Sequence, residues 1–257
     1  MLIQNSALRP NYNLKIAPMN ERKFVTAFNN LDATVKISSL PSDKLKGAYG
    51  VLPFAPKKVA FTSHPVFPVK VKQLNEEGCY EPVPATFTRY DVNDVQDARS
   101  FMTLVDEWDE TEYGPVIIND FLGKEKFPEF YTVELDNKEL RPDEKISTIM
   151  QVSCEDHSKK LGVMYVYFVQ SAPSTVGNEK PSIKGSGELA LYGAVRLAKE
   201  RGLPKVSLSS SNDSFYDKIG FDKRHPLEDG LTLYELRSKN YDAFLERIEN
   251  KYGLEHS

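Results

Sequence analysis

Lys184-Gly185-Ser186-Gly187-Glu188-Leu189-Ala190-Leu191-Tyr192 opens the stretch of this 257-residue chain that decides its fold. A helical run follows, then Lys205-Val206-Ser207-Leu208-Ser209-Ser210, and the stretch closes on Asn212-Asp213-Ser214-Phe215-Tyr216-Asp217-Lys218-Ile219-Gly220-Phe221. Two glycines around one small residue let the backbone turn tightly, with no Cβ to block a large anion. Leu191, Ala194, Val195 and Ala198 recur at helical spacing and predict a helix from Gly187 to Arg201. The first amides of a helix lack partners within it and carry partial positive charge, so this turn has the form of a phosphate site, to which Lys184 adds a point charge. Glu188 in the first helical turn suits the dipole but opposes a bound phosphate. The same residues also serve as a plain glycine loop between strand and helix.

The second half of the stretch reads as a short strand, Lys205 to Ser210, and a helix from Asn212 to Ile219. Ser211 or Asn212 can cap that helix, and Gly220 can take the left-handed conformation that ends it. Phe215 and Ile219, four apart, are expected on the core side. Tyr216 lies about 100° around the helix and is expected toward a cleft, or at a core margin with its hydroxyl in water.

Working outward, Ala85 to Val92 alternates as a strand, and Asn93 can cap a helix carrying Ala98, Phe101, Met102, Val105 and Trp108. Pro115 suits the first turn of a helix through Leu122. Strand-like runs follow at Phe130 to Asp136, Ile146 to Ser153 and Leu161 to Gln170, with polar links at Asn137 to Lys145 and Glu155 to Lys160. A strand at Leu231 to Leu236 and a helix from Lys239 complete the pattern. The order implies an α/β (α+β) domain with a mixed, mostly antiparallel central sheet and helices on both faces. Seven prolines fall within residues 41–84. They predict an extended, irregular or edge-strand segment, so residues 1–84 read as an N-terminal extension in which only Glu21 to Asn30 is helix-compatible. The division is therefore 1–84 extension, 85–238 domain and 239–257 terminal helix.

Together, the Gly185/Gly187 turn, the strand and Phe215-Tyr216-x-x-x-Gly220-Phe221 resemble the GNAT superfamily of N-acetyltransferases, from Ala85 to about Leu236. The family's turn reads Arg/Gln-x-x-Gly-x-Gly/Ala; here Ser182 stands where Arg or Gln is usual. The resemblance implies an acetyl-CoA-dependent N-acetyltransferase acting by direct attack of a primary amine in a ternary complex. It implies that the strand before the turn splays from its neighbour and holds the pantetheine arm at Phe168 and Val169. The diphosphate would lie on Lys184, Gly185, Ser186, Gly187 and Glu188, with Asn212 and Tyr216 completing the cofactor contacts. Tyr216 matches the residue that protonates the departing thiolate. The usual strand carboxylate is missing from Leu161 to Gln170, so the base falls to Glu134 on an adjacent strand, or to Glu155 or Asp156 on a loop. The acceptor is a small-molecule amine or a peptide or protein lysine. The alternatives are a CoA-binding, acyl-sensing protein with little turnover, and an interaction protein using the fold as scaffold.

Net charge is −4 with signs interspersed, which points to neither nucleic acid nor membrane as a partner. The cysteines, Cys79 and Cys154, make no disulfide framework, no apolar run is long enough to span a bilayer, and the chain reads as cytoplasmic. His64, His157, His225 and His256 have no partners at ligand spacing, so no metal is expected. The oligomeric state stays open, a homodimer included.

Overall fold

Apolar residues at every second position build the first strand. In β1 (His64–Leu74), Phe67, Val69 and Val71 point inward while Pro68, Lys70 and Lys72 face out. The computed structural model describes residues 64–125, 128–175, 180–227 and 230–255, and the readings made of residues 1–63 lie outside them. β1 pairs antiparallel along its length with β2 (Tyr80–Tyr90). The expected boundary at 84/85 therefore cuts through β2, and the last part of the proline segment belongs to the sheet. Pro65, Pro68 and Pro82 are accommodated because one strand edge beside them is unpaired, and Pro84, which lacks only the donor, still offers its carbonyl to the Asp136 amide. Pro65 and Pro68 sit on the side of β1 that gains a neighbour only at Lys72 and Gln73, and Pro82 precedes the start of β2 pairing with β3 at Ala85.

The other elements are α1 (Val95–Thr103), α2 (Val105–Trp108), α3 (Gly114–Leu122), β3 (Pro128–Leu135), α4 (Pro142–Lys145), β4 (Ile146–Ser153), α5 (Glu155–Leu161), β5 (Met164–Ser171), β6 (Ile183–Lys184), α6 (Ser186–Glu200), β7 (Lys205–Ser210), α7 (Asp213–Lys218), β8 (Asp222–Pro226), β9 (Thr232–Arg237) and α8 (Tyr241–Tyr252). They form one nine-stranded sheet in the order β6-β1-β2-β3-β4-β5-β7-β9-β8. All neighbours are antiparallel except β5 and β7. One face packs on α6 and α8 through Phe87, Val133, Met150, Val169 and the apolar side of α6. Gly193 is required there, since a Cβ would collide with the Phe87 ring. The other face packs on α1 and α3, where Phe101 stacks on Phe121 with centroids 4.0 Å apart.

Four local readings shift. Asp94, not Asn93, caps α1, its carboxylate accepting from the amides of Gln96 and Asp97. The polar link Glu155 to Lys160 is the helix α5, with acids in its first turn, lysines in its last, and Gly162 left-handed (φ 65°) at its end. The strand expected from Leu161 accordingly begins at Met164. The α6 helix, expected from Gly187, begins at Ser186.

Candidate active site

Strands β5 and β7 run parallel but pair only at Met164–Val206 and Tyr165–Ser207. Beyond that point β5 continues to Ser171, held by β4, and β7 continues to Ser210, held by β9. The sheet therefore opens into a wedge between two strands that are each anchored on their far side. This is the splay expected of the strand before the glycine turn. Phe168 and Val169 lie on the diverging part of β5 and are buried on opposite faces. Phe168 stacks on Tyr113, centroids 5.0 Å apart, while Val169 joins the core beneath α6.

The β7 side of the wedge carries hydroxyls. Ser209 is fully buried on β7, and the Tyr216 hydroxyl, carried by α7, is buried with the Ser210 hydroxyl beside it. Tyr216 is fully buried, its ring against Phe215, Phe221 and Tyr234. Burial pushes its phenol well above the usual tyrosine range, the Ser210 hydroxyl offsets part of this, and Tyr234 adds to it. The expected orientation of α7 is rotated in part. Ile219 is buried as expected, but Tyr216, three residues before it, is fully buried with it, and Phe215 is only partly buried against the core. At the end of this six-residue helix the Arg247 guanidinium donates to the Ile219 carbonyl. Asn212 caps α7, accepting from the Phe215 amide at 3.4 Å, and is solvent-exposed.

The glycine turn follows β6 and opens α6. Gly185 is left-handed (φ 92°), and a Cβ there would overlap the Tyr252 side chain, so both backbone and space demand glycine. Ser186, Gly187 and Glu188 are buried. Ser186 Oγ donates to the Ser147 carbonyl at 3.4 Å, which seats the turn over the start of β4 and the end of β5. Glu188 accepts from the Tyr252 hydroxyl at 2.7 Å and from Lys251. Lys184 is exposed and lies over the Tyr80 ring, its nitrogen 3.8 Å from the centroid. The turn is thus gripped on one side by the β1–β2 hairpin and on another by the last turn of α8. The wedge suits a pantetheine arm; the turn, in this arrangement, holds Tyr252 against Gly185.

Glu134 lies two strands from β5, about 10 Å away at ordinary strand spacing. It is buried, ion-paired with Lys145 at 2.9 Å, and accepts from the Thr132 hydroxyl at 2.7 Å. Glu155 is exposed, and its carboxyl is held below the usual range by Lys159. Its amide donates to Glu129 near the start of β3, so α5 lies at the other end of the sheet from Ser171. None of the three carboxylates considered as a base is brought to the wedge unpaired. The residues sequence reasoning missed are Ser209, Lys251 and Tyr252. The spacing of Tyr252 on the apolar stripe of α8 announced burial, but nothing announced burial against Gly185.

No protein-family model and no curated protein sequence matches the chain. Many of the solved structures similar to it are GNAT-family acetyltransferases. Arabidopsis thaliana NAA60, solved in complex with acetyl-CoA, is 7% identical at a TM-score of 0.42, over 60% of this chain and 99% of that one. A GNAT-family acetyltransferase from Listeria monocytogenes is 13% identical at 0.39, over 60% and 95%. The N-acetyltransferase PseH from Campylobacter jejuni is 10% identical at 0.37, over 60% and 98%. These values are low, so the site is read from this chain's own geometry. Among the described residues no helix is long and apolar enough to cross a membrane, and no cluster of His, Cys, Asp or Glu could hold a metal ion.

Proposed function

We propose that this chain is a GNAT-type N-acetyltransferase that takes acetyl-CoA in the β5–β7 wedge and passes the acetyl group to a primary amine. The observation that carries this reading is the wedge itself, two anchored parallel strands that part after two paired residues. Acetyl-CoA brings an activated thioester; the chain's residues position it and manage charge. Phe168 and Val169 line the β5 wall, and the backbone there is placed to accept a pantetheine arm. The amine nitrogen bonds to the acetyl carbon, the carbon–sulfur bond breaks, and the amine proton passes to solvent, since no unpaired carboxylate among those considered reaches the wedge. Tyr216 then meets the departing sulfur. Its phenol is a weaker acid than a thiol, so it keeps its proton and donates a hydrogen bond to the developing thiolate, which then takes a proton from solvent.

A specific observation favours a second reading, a CoA-binding sensor with little turnover: none of the carboxylates considered as a base stands unpaired at the wedge. Titration calorimetry with acetyl-CoA, followed by thiol release with and without an amine panel, separates the two. Binding with amine-dependent thiol release supports the transferase. Binding with no release from any amine supports the sensor. No heat and no rise in Tm at saturating acetyl-CoA rejects both.

A further inference from the structure

We infer that the last turn of α8 is an autoinhibitory latch on the glycine turn, which acyl-CoA must lift to seat its diphosphate. The inference rests on the acyl-CoA reading of the wedge. Three groups form the latch. The Tyr252 ring lies against Gly185 in the space that a side chain at that position would need. Its hydroxyl donates to Glu188, and Lys251 pairs with the same carboxylate oxygen. Glu188 stands in the first turn of α6, so its carboxylate already supplies the negative charge that the helix end attracts. With Glu188 fixed there, an incoming diphosphate meets a like charge and an aromatic ring where it needs open backbone. The latch satisfies its own site with an internal anion.

The last turn of α8 is also secured from behind. The Lys70 ammonium donates to the Gly253 carbonyl at 2.7 Å, and Lys72 lies over the Tyr252 ring, 5.8 Å from its centroid. Gly253 is left-handed (φ 61°), and the amides of Gly253 and Leu254 close on the Glu249 carbonyl. These contacts sit within one terminal turn, the part of a helix that opens at least cost. The rest of α8 is held independently, through Phe244 against Phe221 and the Tyr192 hydroxyl on Glu249. Releasing Asn250 to Leu254 from the Glu249 carbonyl therefore need not displace the Glu249 side chain or unfold the helix. Once the turn is lifted, Lys72, which pairs in register with Lys184 beside Gly185, is left as a cation next to it, so a group that holds the closed state would favour a bound diphosphate in the open one.

The test uses the full chain with CoA as the probe, in native form and as Lys251→Met, Tyr252→Phe and the double variant. Tyr252→Phe keeps the ring and removes only the hydroxyl, and circular dichroism establishes that each variant folds. The latch predicts that the double variant binds CoA about tenfold more tightly by calorimetry, since each weakened contact lowers the cost of opening. It also predicts that amide exchange across 249–253 accelerates when CoA binds the native chain. Equal or weaker binding by the double variant, or exchange across 249–253 that slows with CoA, overturns the latch and leaves the wedge reading standing. No CoA binding by any folded form overturns the wedge reading, and the latch with it.

Discussion

Tyr216 is a polar residue held in the core at a cost, its oxygen buried with the Ser210 hydroxyl beside it. Tyr216→Phe removes that oxygen while keeping the ring among Phe215, Phe221 and Tyr234, so the variant should melt within about 4 °C of the native chain, the shift that about 1 kcal/mol gives a chain of this size. It should bind acetyl-CoA as before yet release thiol about 10²-fold more slowly, the lower end of what a positioned donor supplies. Unchanged turnover would deny the oxygen this role. Asp97 is the other residue held at a cost. It is 1% exposed, accepts from the Asp91 amide at 2.8 Å, and burial raises its carboxyl from 3.8 to about 6. The folded state therefore holds the proton to higher pH than the unfolded chain does. Its contribution favours folding most at low pH, declines as pH rises from about 4 to about 6, and is unfavourable and constant above that, by roughly 2–3 kcal/mol. Asp97→Asn should lift stability at pH 7 and flatten this part of the pH dependence in urea melts at a series of pH values. An unchanged slope between pH 4 and 6 would contradict it.

At the scale of elements, α4 is fastened to the sheet by charge. Lys145 at its end is buried and pairs with Glu134 on β3, so removing either partner strands the other. Lys145→Ala should cost about 3–5 kcal/mol in denaturant unfolding, and Lys145→Met with Glu134→Leu together should cost far less. A small effect of Lys145→Ala would mean water reaches the carboxylate, and would return Glu134 to consideration as a base. Elements like this one mark how far the sequence could be read. The strands β3, β4, β5, β7 and β9 and the helices α1, α3, α6 and α8 announced themselves because each has a periodic apolar face or a cap at a predictable place. Helix α5 did not, because Glu-Asp-His-Ser-Lys-Lys-Leu has no such face and is stabilised by its end charges and Gly162. Strand β1 did not, because its prolines signal disruption unless one knows that the outer edge beside them is largely unpaired. At the site, the glycine turn and the position of α7 were legible from local chemistry. The rotation that buries Tyr216, and the contact of Tyr252 with Gly185, come from segments packed across long sequence separations, which local pattern does not encode.

On the scale of the whole molecule, the wedge follows from how the two halves of the sheet are tied. β5 belongs to a run of antiparallel strands continuing through β4 to β1, and β7 to a smaller group with β9 and β8. The two groups meet at only two register pairs, so the ends of β5 and β7 are free to part while each stays satisfied on its other side. Helix α6 crosses beneath both groups and brings the glycine turn over Ser147, at the open end of the wedge. α8 then lies along α6 and closes on that turn. A crystal structure of the chain grown with CoA tests this arrangement most directly. The pantetheine arm should lie between Val166–Ser171 and Leu208–Ser210, its sulfur within hydrogen-bond reach of the Tyr216 hydroxyl and Tyr252 displaced from Gly185. CoA bound elsewhere, or a wedge left empty at saturating CoA with Tyr252 still on Gly185, would contradict the account.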